Sequence, residues 1–435
     1  MMSQEANDRI TRVGPGTAAG ALLRRYWQPA ALAEELVSAR PVVPVTLLGE
    51  KLVLFRDEEG KLGLIGRHCP HRGADMCYGR LEDNGLRCPF HGWHFNRDGQ
   101  CVEQPAEPEG SRMHEQIRAV SYPVVERNGV VFAYMGPGDP PPFPALDCFT
   151  APDSHVFAFK GLWECNWLQA LEVGIDPAHA SFLHRFLEDE DPSRGYGKQF
   201  RDRAAGTDIP MTQILREYPR PEIHVEDAPH GLRLVALRHL ADGRTHVRVT
   251  NQLFPGAITI PMSQEMTITQ WHVPVDDERC YWVSMFTSFG KPVDKALMRE
   301  QRLKEHRLPD YAPLKNRANN YGYDPDEQRD RTYTGMGLDI NVHDQWAVES
   351  MGSIQDRTQE HLGKSDAGII RYRRMLRAAV DAVEKGEDNA LPMSNGSAAS
   401  VTGPVSVDAL GEAGEDWRDV FTRADAARRA ACPWS

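Results

Sequence analysis

The chain is expected to fold as an α+β protein: a small all-β domain, then a larger antiparallel sheet flanked by helices. Three observations predict this. Short alternating apolar runs broken by Gly and Asp-Gly turns (PVTLLG, KLVLFRD, KLGLIG, VVFAYMG) fill residues 41–135. Longer strand-like runs (LRLVALRHL, THVRVTNQLF, MTITQWHV, CYWVSMF) fill 212–290. Apolar residues at helical spacing lie before and after that block, at 165–184 and 339–385. The 435 residues, 41% hydrophobic and 26% charged with a mean hydropathy of −0.51, suffice for two or three globular domains with sizeable cores.

Taken in order, residues 1–40 read as an N-terminal helical segment packing on the larger domain, 41–140 as the small β-domain and 141–435 as the larger one. GPGDPPPFP at 136–144 is a Pro/Gly-rich break expected to act as a linker. Residues 388–415 are rich in Ser, Gly and Ala and are expected to be loose, ahead of a short amphipathic helix at 416–430. No internal repeat is visible.

Bulk properties exclude some classes. A formal net charge of −12 and a pI near 5.8 argue against nucleic acid or an anionic membrane as partner. No run of about 18 apolar residues predicts a membrane span. MMSQEANDRI has neither the basic nor the apolar part of a secretory signal, so a cytoplasmic location is expected. The eight cysteines are too scattered for a disulfide framework, and Cys77, Cys101, Cys148, Cys165, Cys280 and Cys432 are expected to be free thiols.

Chemistry concentrates first in RHCPHRGADMCYGRLEDNGLRCPFHGWHF, residues 67–95. Cys69-x-His71 and Cys88-x-x-His91 make a Cys₂His₂ donor set, which suits either structural zinc or a [2Fe–2S] centre with thiolates on one iron and imidazoles on the other. The C-x-H arm is tighter than a zinc-finger arm. Gly73 and Gly92 stand just past each arm, where backbone must pass close to a cluster. A second constellation lies in DPAHASFLH: Asp176, His179 and His184. Two histidines and a carboxylate with open positions suit a non-haem Fe(II) that activates O₂. Asp176 stands one helical turn before His179 and is the local carboxylate candidate. On an unbroken helix the two imidazoles would diverge by about 140°, so a wound-out turn is expected if both meet one ion.

CPHRGA and CPFHGWHF resemble the Rieske motif of the ring-hydroxylating oxygenases, with Ala74 and Phe90 where respiratory Rieske proteins carry extra cysteines. The stretch from Asn166, Trp167 and Gln169 to His184 resembles the iron-site segment of the phthalate- and vanillate-type Rieske oxygenases. NVHDQWAVESMGSIQDRTQEHLGKSD resembles their downstream ligand segment, with His343 replacing a common Gln. The resemblance implies a helix-grip-like catalytic domain and two cofactors: a [2Fe–2S] cluster on Cys69, His71, Cys88 and His91, and a mononuclear Fe(II) on His179, His184 and Asp344. It gives Asp176 a different role, as the electron-transfer bridge to a cluster histidine of a neighbouring subunit in a head-to-tail homotrimer. It also implies a ferredoxin or flavin reductase partner, since no dinucleotide motif is present. Trp93 is placed beside the cluster or as an aromatic closing the β-domain.

The implied activity is O₂-dependent hydroxylation of an aromatic carboxylate. Within the group, the resemblance points to O-demethylation of a methoxylated, lignin-derived biaryl of the dehydrodivanillate kind, releasing formaldehyde. Phthalate-type cis-dihydroxylation is the alternative, and a pure electron-transfer Rieske protein is a weaker one. A carboxylate calls for an arginine fork, for which Arg203, Arg244 and Arg248 are the candidates. Phe182, Leu253, Phe254 and Trp346 are candidate apolar walls, although core packing is the plainer role for each. Glu349, Asp356 and Glu360 are expected to pair with Arg357 or face solvent, and Glu172 to be solvated or capping.

Overall fold

The computed structural model describes residues 2–187, 211–393 and 398–434. Its first part is a set of small antiparallel sheets joined by tight hairpins. Val42–Leu47, Glu50–Arg56 and Leu62–Gly66 form one meander; Arg80–Glu82, Gly85–Arg87, His94–Asn96 and Cys101–Glu103 form a second. Gln28–Leu32 pairs with Val130–Ala133, which pairs with Val124–Arg127. Three of the hairpins close through two residues that both have positive φ: Leu48-Gly49, Asp83-Asn84 and Asn128-Gly129. Turns of this hand match the strand twist. Leucine is an unusual choice there, and its cost is offset by docking. Leu48 is fully buried, and the Leu48 and Gly49 amides donate to the carbonyls of Pro274 and Val275 at 2.9 and 2.8 Å, fixing the small domain to the large one.

The second part is an eight-stranded antiparallel sheet. Its main path runs Val156–Trp163, Cys280–Ser288, Met266–Pro274, Ala257–Pro261, Thr245–Leu253, Gly231–His239, Glu222–Ala228. The near-continuous apolar run LRLVALRHL has a simple cause: both faces of its strand are covered. Leu232 and Leu234 join the main core, while Val235 and Leu237 pack with Val247, Val249, Val407, Ala409, Trp417 and Val420 on the other side. Gln4–Thr11 and Ala18–Leu23 pack with the long helix Ala367–Glu384, and Arg9 reaches Asp381 and Glu384 at 2.6 and 2.5 Å. No described helix is long and apolar enough to cross a membrane.

Two expectations from composition are corrected. Residues 136–144 are not a free linker: the Phe143 ring lies 4.7 Å from Trp27 and 5.4 Å from Phe132, and Trp27 Nε1 donates to the Pro141 carbonyl. Within 388–415, Val407–Gly411 is a wholly buried strand of the large sheet, not a loose segment. It pairs with Thr245–Val249, while Asn251–Leu253 of the same strand pairs with Ala257–Thr259.

That late strand brings in Asp408, which accepts from His246 at 3.0 Å and from Arg248. Burial alone would raise its pKa, but His246 and Arg248 outweigh it and hold the carboxyl at about 2. A depressed carboxyl stabilises the fold fully above its ordinary pKa of about 4; that contribution fades as pH falls towards 2. Melting temperature is therefore expected to drop between pH 4 and 2, and Asp408→Asn to flatten that drop while lowering stability at neutral pH.

Candidate metal centres

The two cysteine arms fold into the same turn despite their different spacing. In each, the cysteine amide donates to the carbonyl five residues on (Cys69 to Ala74, Cys88 to Trp93), and the cysteine carbonyl accepts from the glycine four residues on (Gly73, Gly92). Those glycines have φ of +78° and +77°, a conformation that side chains resist. The turns bury Cys69 and Cys88 in the small domain's core, and leave His71 and His91 half-exposed, ring centroids 4.5 Å apart. Trp93 is buried and stacks on His71 at 4.4 Å, so it both flanks the arm and closes the core. Arg67 grips Asp75 beyond the first arm, and Arg87 donates to the Gly92 carbonyl of the second.

This donor set fits a Rieske cluster. His91 Nδ1 is buried and has no hydrogen-bond partner among the described residues. Burial pushes the Cys69 thiol up to about 11, with Cys88 beside it raising it further, so the metal must displace a held proton.

The second centre forms where a helix stops. Asn166 caps Trp167–Gly174 through Leu168 N, and its amide also holds the carbonyls of Thr11 and Asp277. The chain then leaves helical geometry over Ile175–Ala178 and resumes as the short turn Ala180–Leu183. The break lies before both histidines; between them stands the helical turn Ala180–Leu183, so the wound-out turn expected there is not seen, and the chain leaves helical geometry only at His184. His179 Nε2 lies 3.2 Å from His184 Nε2, and Asp344 Oδ1 lies 3.2 Å from His184 Nε2 and 3.8 Å from His179 Nε2. Two ligands bonded at about 2.1 Å and roughly at right angles would sit about 3.0 Å apart, so the spacing fits one ion. These three are the only such cluster among the described residues. Burial and the facing His184 lower the pKa of His179. Burial works to raise Asp344, but the imidazoles outweigh it and keep it low. Both shifts favour the states a divalent metal requires, a neutral His179 and an ionised Asp344.

Asp176 is not grouped with these ligands. Its Oδ1 accepts from Ala178 N at 2.7 Å, and its carbonyl contacts His179 Nδ1, which orients the ring. His343 is buried against His184, and its Nε2 bonds the Gly337 carbonyl at 2.9 Å, so it braces a ligand instead of joining it. Gln169 ties the ligand segments together: Nε2 donates to the carbonyls of Val348 and Gly352, at the end of the Asp344 helix Ile340–Ser350. Glu172 is a correction: it is buried, with Arg357 at 2.8 Å and Arg373 at 2.5 Å. Glu349 is also buried but pairs with Tyr321, Gln345 and the Glu164 amide, not with Arg357.

A cavity of about 210 Å³ opens onto all three clustered ligands. Its wall is one face of the large sheet: Leu234, Ala236 and Arg238 on one strand, Arg248 and Thr250 on the next, then Ile258 and Ile260, Ile268, Gln270 and His272, and Trp282, Ser284 and Phe286. Ser284 Oγ donates to Gln270 Oε1 at 2.7 Å and Gln270 Nε2 donates to His272 Nε2 at 3.1 Å, so the His272 proton sits on Nδ1. A separate groove of about 890 Å³ lies outside, where Asp176, Tyr321, Tyr323, Tyr333 and Trp346 meet.

Of the predicted arginines, Arg248 lines the cavity. Arg244 does not: it sits in the turn after His239, gripping Asp242 at 2.7 Å. Arg203 lies outside the described residues. Phe182 and Trp346 line the outer groove, and Leu253 and Phe254 pack in the core beside Tyr26. Sequence reasoning missed Gln270, His272, Ser284 and Arg238; the period-2 alternation along their strands was the available signal.

Comparison with known proteins shows which family the chain resembles along its length. Residues 26–123 match the Rieske [2Fe–2S] domain and residues 133–431 the LigXa C-terminal domain like family. The chain is 34% identical to the oxygenase subunit of the tert-butanol monooxygenase/tert-amyl alcohol desaturase of Aquincola tertiaricarbonis, over 86% of this chain and 76% of that one. It is 33% identical to the phthalate 4,5-dioxygenase oxygenase subunit of Pseudomonas putida (97% and 95%) and to the 5,5'-dehydrodivanillate O-demethylase oxygenase subunit of a Sphingobium species (89% and 82%). In fold it is similar to dicamba monooxygenase bound to dicamba, with a TM-score of 0.57 at 19% identity, over 83% of this chain and 99% of that one.

Proposed function

Since the chain belongs to the Rieske non-haem iron oxygenases and is the oxygenase component of such a system, we propose that it hydroxylates an aromatic carboxylate, by O-demethylation of a methoxylated, lignin-derived biaryl. Cys69 and Cys88 would hold one iron of the cluster, His71 and His91 the other, and His179, His184 and Asp344 would hold the mononuclear iron. When bound, the cluster supplies single electrons and the mononuclear iron supplies O₂ activation. The observation that carries the reading is the joint one: three ligand atoms within 4.8 Å of one another open onto an apolar cavity that also holds an arginine. The apolar walls Ile258, Ile260 and Ile268 exclude water around a ring, and an arginine of the cavity wall orients a carboxylate. Hydroxylation of a methoxy carbon leaves a hemiacetal, which collapses to formaldehyde and a phenol.

Asp176 borders both the cavity and the outer groove. There it would bridge to a cluster histidine of a second copy seated in that groove, within a head-to-tail homotrimer. Phe182, Tyr323, Tyr333 and Trp346 are partly exposed there and form the apolar rim such a copy covers. A ferredoxin or flavin reductase delivers the electrons. Asp176→Asn is expected to keep both metals and slow cluster reoxidation by substrate and O₂ by tenfold or more; a wild-type rate in stopped flow removes the bridging role.

One observation favours cis-dihydroxylation of a single-ring acid as a second reading. The cavity of about 210 Å³ is below the roughly 300–1,000 Å³ of drug-sized ligand sites. Turnover with a reductase and a panel of methoxylated and unmethoxylated aromatic acids separates the two. Formaldehyde is expected; a cis-diol without formaldehyde replaces the first reading with the second.

A further inference from the structure

Arg238 is 1% exposed, lines the cavity, and has no carboxylate hydrogen-bonded to it among the described residues. Its guanidinium is nonetheless employed. Nε donates to the Tyr218 carbonyl at 3.1 Å, and Nη2 donates to Ser181 Oγ at 3.1 Å and the Pro177 carbonyl at 3.4 Å. Pro177 and Ser181 belong to the turn that carries His179. The remaining Nη1 is buried without a hydrogen-bond partner among the described residues. Asp408 acts on Arg238 only without a hydrogen bond, and a buried cation with a free donor and no bonded carboxylate is costly unless something negative completes it.

The neighbouring arginine is in the opposite condition. Arg248 bonds Asp408, whose other oxygen takes His246, and its Nη2 is used on the Pro261 carbonyl. Arg238 lies on the adjacent strand, where Ala236 faces Arg248 across the ladder. Burial and the nearby Arg248 lower the Arg238 pKa to about 10, which leaves it charged at neutral pH. Among the described residues, Arg238 is thus the one of this adjacent pair with no carboxylate bonded to it.

Resting on the reading above, we propose that Arg238 is the specificity-determining anion site of the cavity, taking the substrate carboxylate on Nη1 while its other donors hold the Pro177–Ser181 turn. Occupancy by an anion thus ties the substrate to the segment bearing His179 and His184. A neutral analogue of the same shape leaves Nη1 unpaired and binds more weakly.

The test is calorimetry on the holoenzyme with 4-methoxybenzoate and 4-methoxybenzamide as probes. Wild type is expected to prefer the acid by at least tenfold, Arg238→Gln to lose that preference without weakening the amide, and Arg248→Gln to retain it. If Arg238→Gln does not fold, Arg238→Lys decides. An ammonium cannot serve the turn and an anion together, so acid affinity should fall at least tenfold. Wild-type acid affinity in Arg238→Lys, or an acid preference that vanishes in Arg248→Gln and survives in Arg238→Gln, overturns the assignment and leaves the carboxylate reading standing. A wild type that binds both probes alike or neither overturns the anion site, while formaldehyde release from an uncharged methoxyarene would still uphold demethylation.

Discussion

Asp344→Ala is expected to abolish product formation while the visible absorbance of the cluster survives. The two centres sit in separate cores: the cysteine arms in the small domain, and the iron ligands against the large sheet. Losing a residue that only supports a ligand costs about 10–100-fold in metal affinity, and losing the ligand itself exceeds that. Purified variant should contain iron and sulfide in the cluster ratio only, against one further iron per chain in wild type. His179→Ala should behave alike. Turnover at the wild-type rate in either variant would refute the iron-site assignment, and loss of the cluster spectrum would refute the independence of the two cores.

Glu172→Ala is expected to be the most destabilising single change near the site. Among the described residues, its carboxylate is the only partner bonded to both Arg357, fully buried, and Arg373. Breaking such a buried set from one side costs about 3–5 kcal/mol, because Arg357 is left buried without the carboxylate that balances it. Arg357 also bonds Asn7 and Arg373 also bonds Glu360, so the loss reaches the N-terminal helix and the segment after the Asp344 helix. A melting curve checks it: a large drop is expected, with partial recovery when both arginines are also replaced by methionine. An unchanged midpoint would mean the cluster is not stabilising.

What could be read without coordinates follows a physical divide. The metal-binding residues stand in short, dense motifs, and His179 and His184 were legible from spacing, whereas the break in the chain falls before both of them and not between them. Asp344, far downstream, came from resemblance, because no periodicity links it to the histidines. The cavity wall was not legible: when both faces of a strand are buried, an apolar run does not say which face is hollow. So Phe182 and Trp346 fall in the outer groove, while Ile258 and Trp282, unremarked in sequence, line the inner one. Glu172 was misjudged because a charged residue in a helix is ordinarily solvated, and its arginines stand about 185 and 201 positions away. The strand at 407–411 was hidden by Ser- and Gly-rich flanks.

That strand has a bearing on biosynthesis. Thr245–Val249 lie unpaired along one side until Val407–Gly411 emerges from the ribosome, more than 150 residues later. Until then a growing chain displays the unpaired backbone of Thr245–Val249, an open sheet edge of the kind that recruits foreign strands. Arg248 meanwhile awaits Asp408. Ribosome-bound fragments ending before residue 400 should therefore depend on chaperones for solubility, whereas those that have released residue 411 should not.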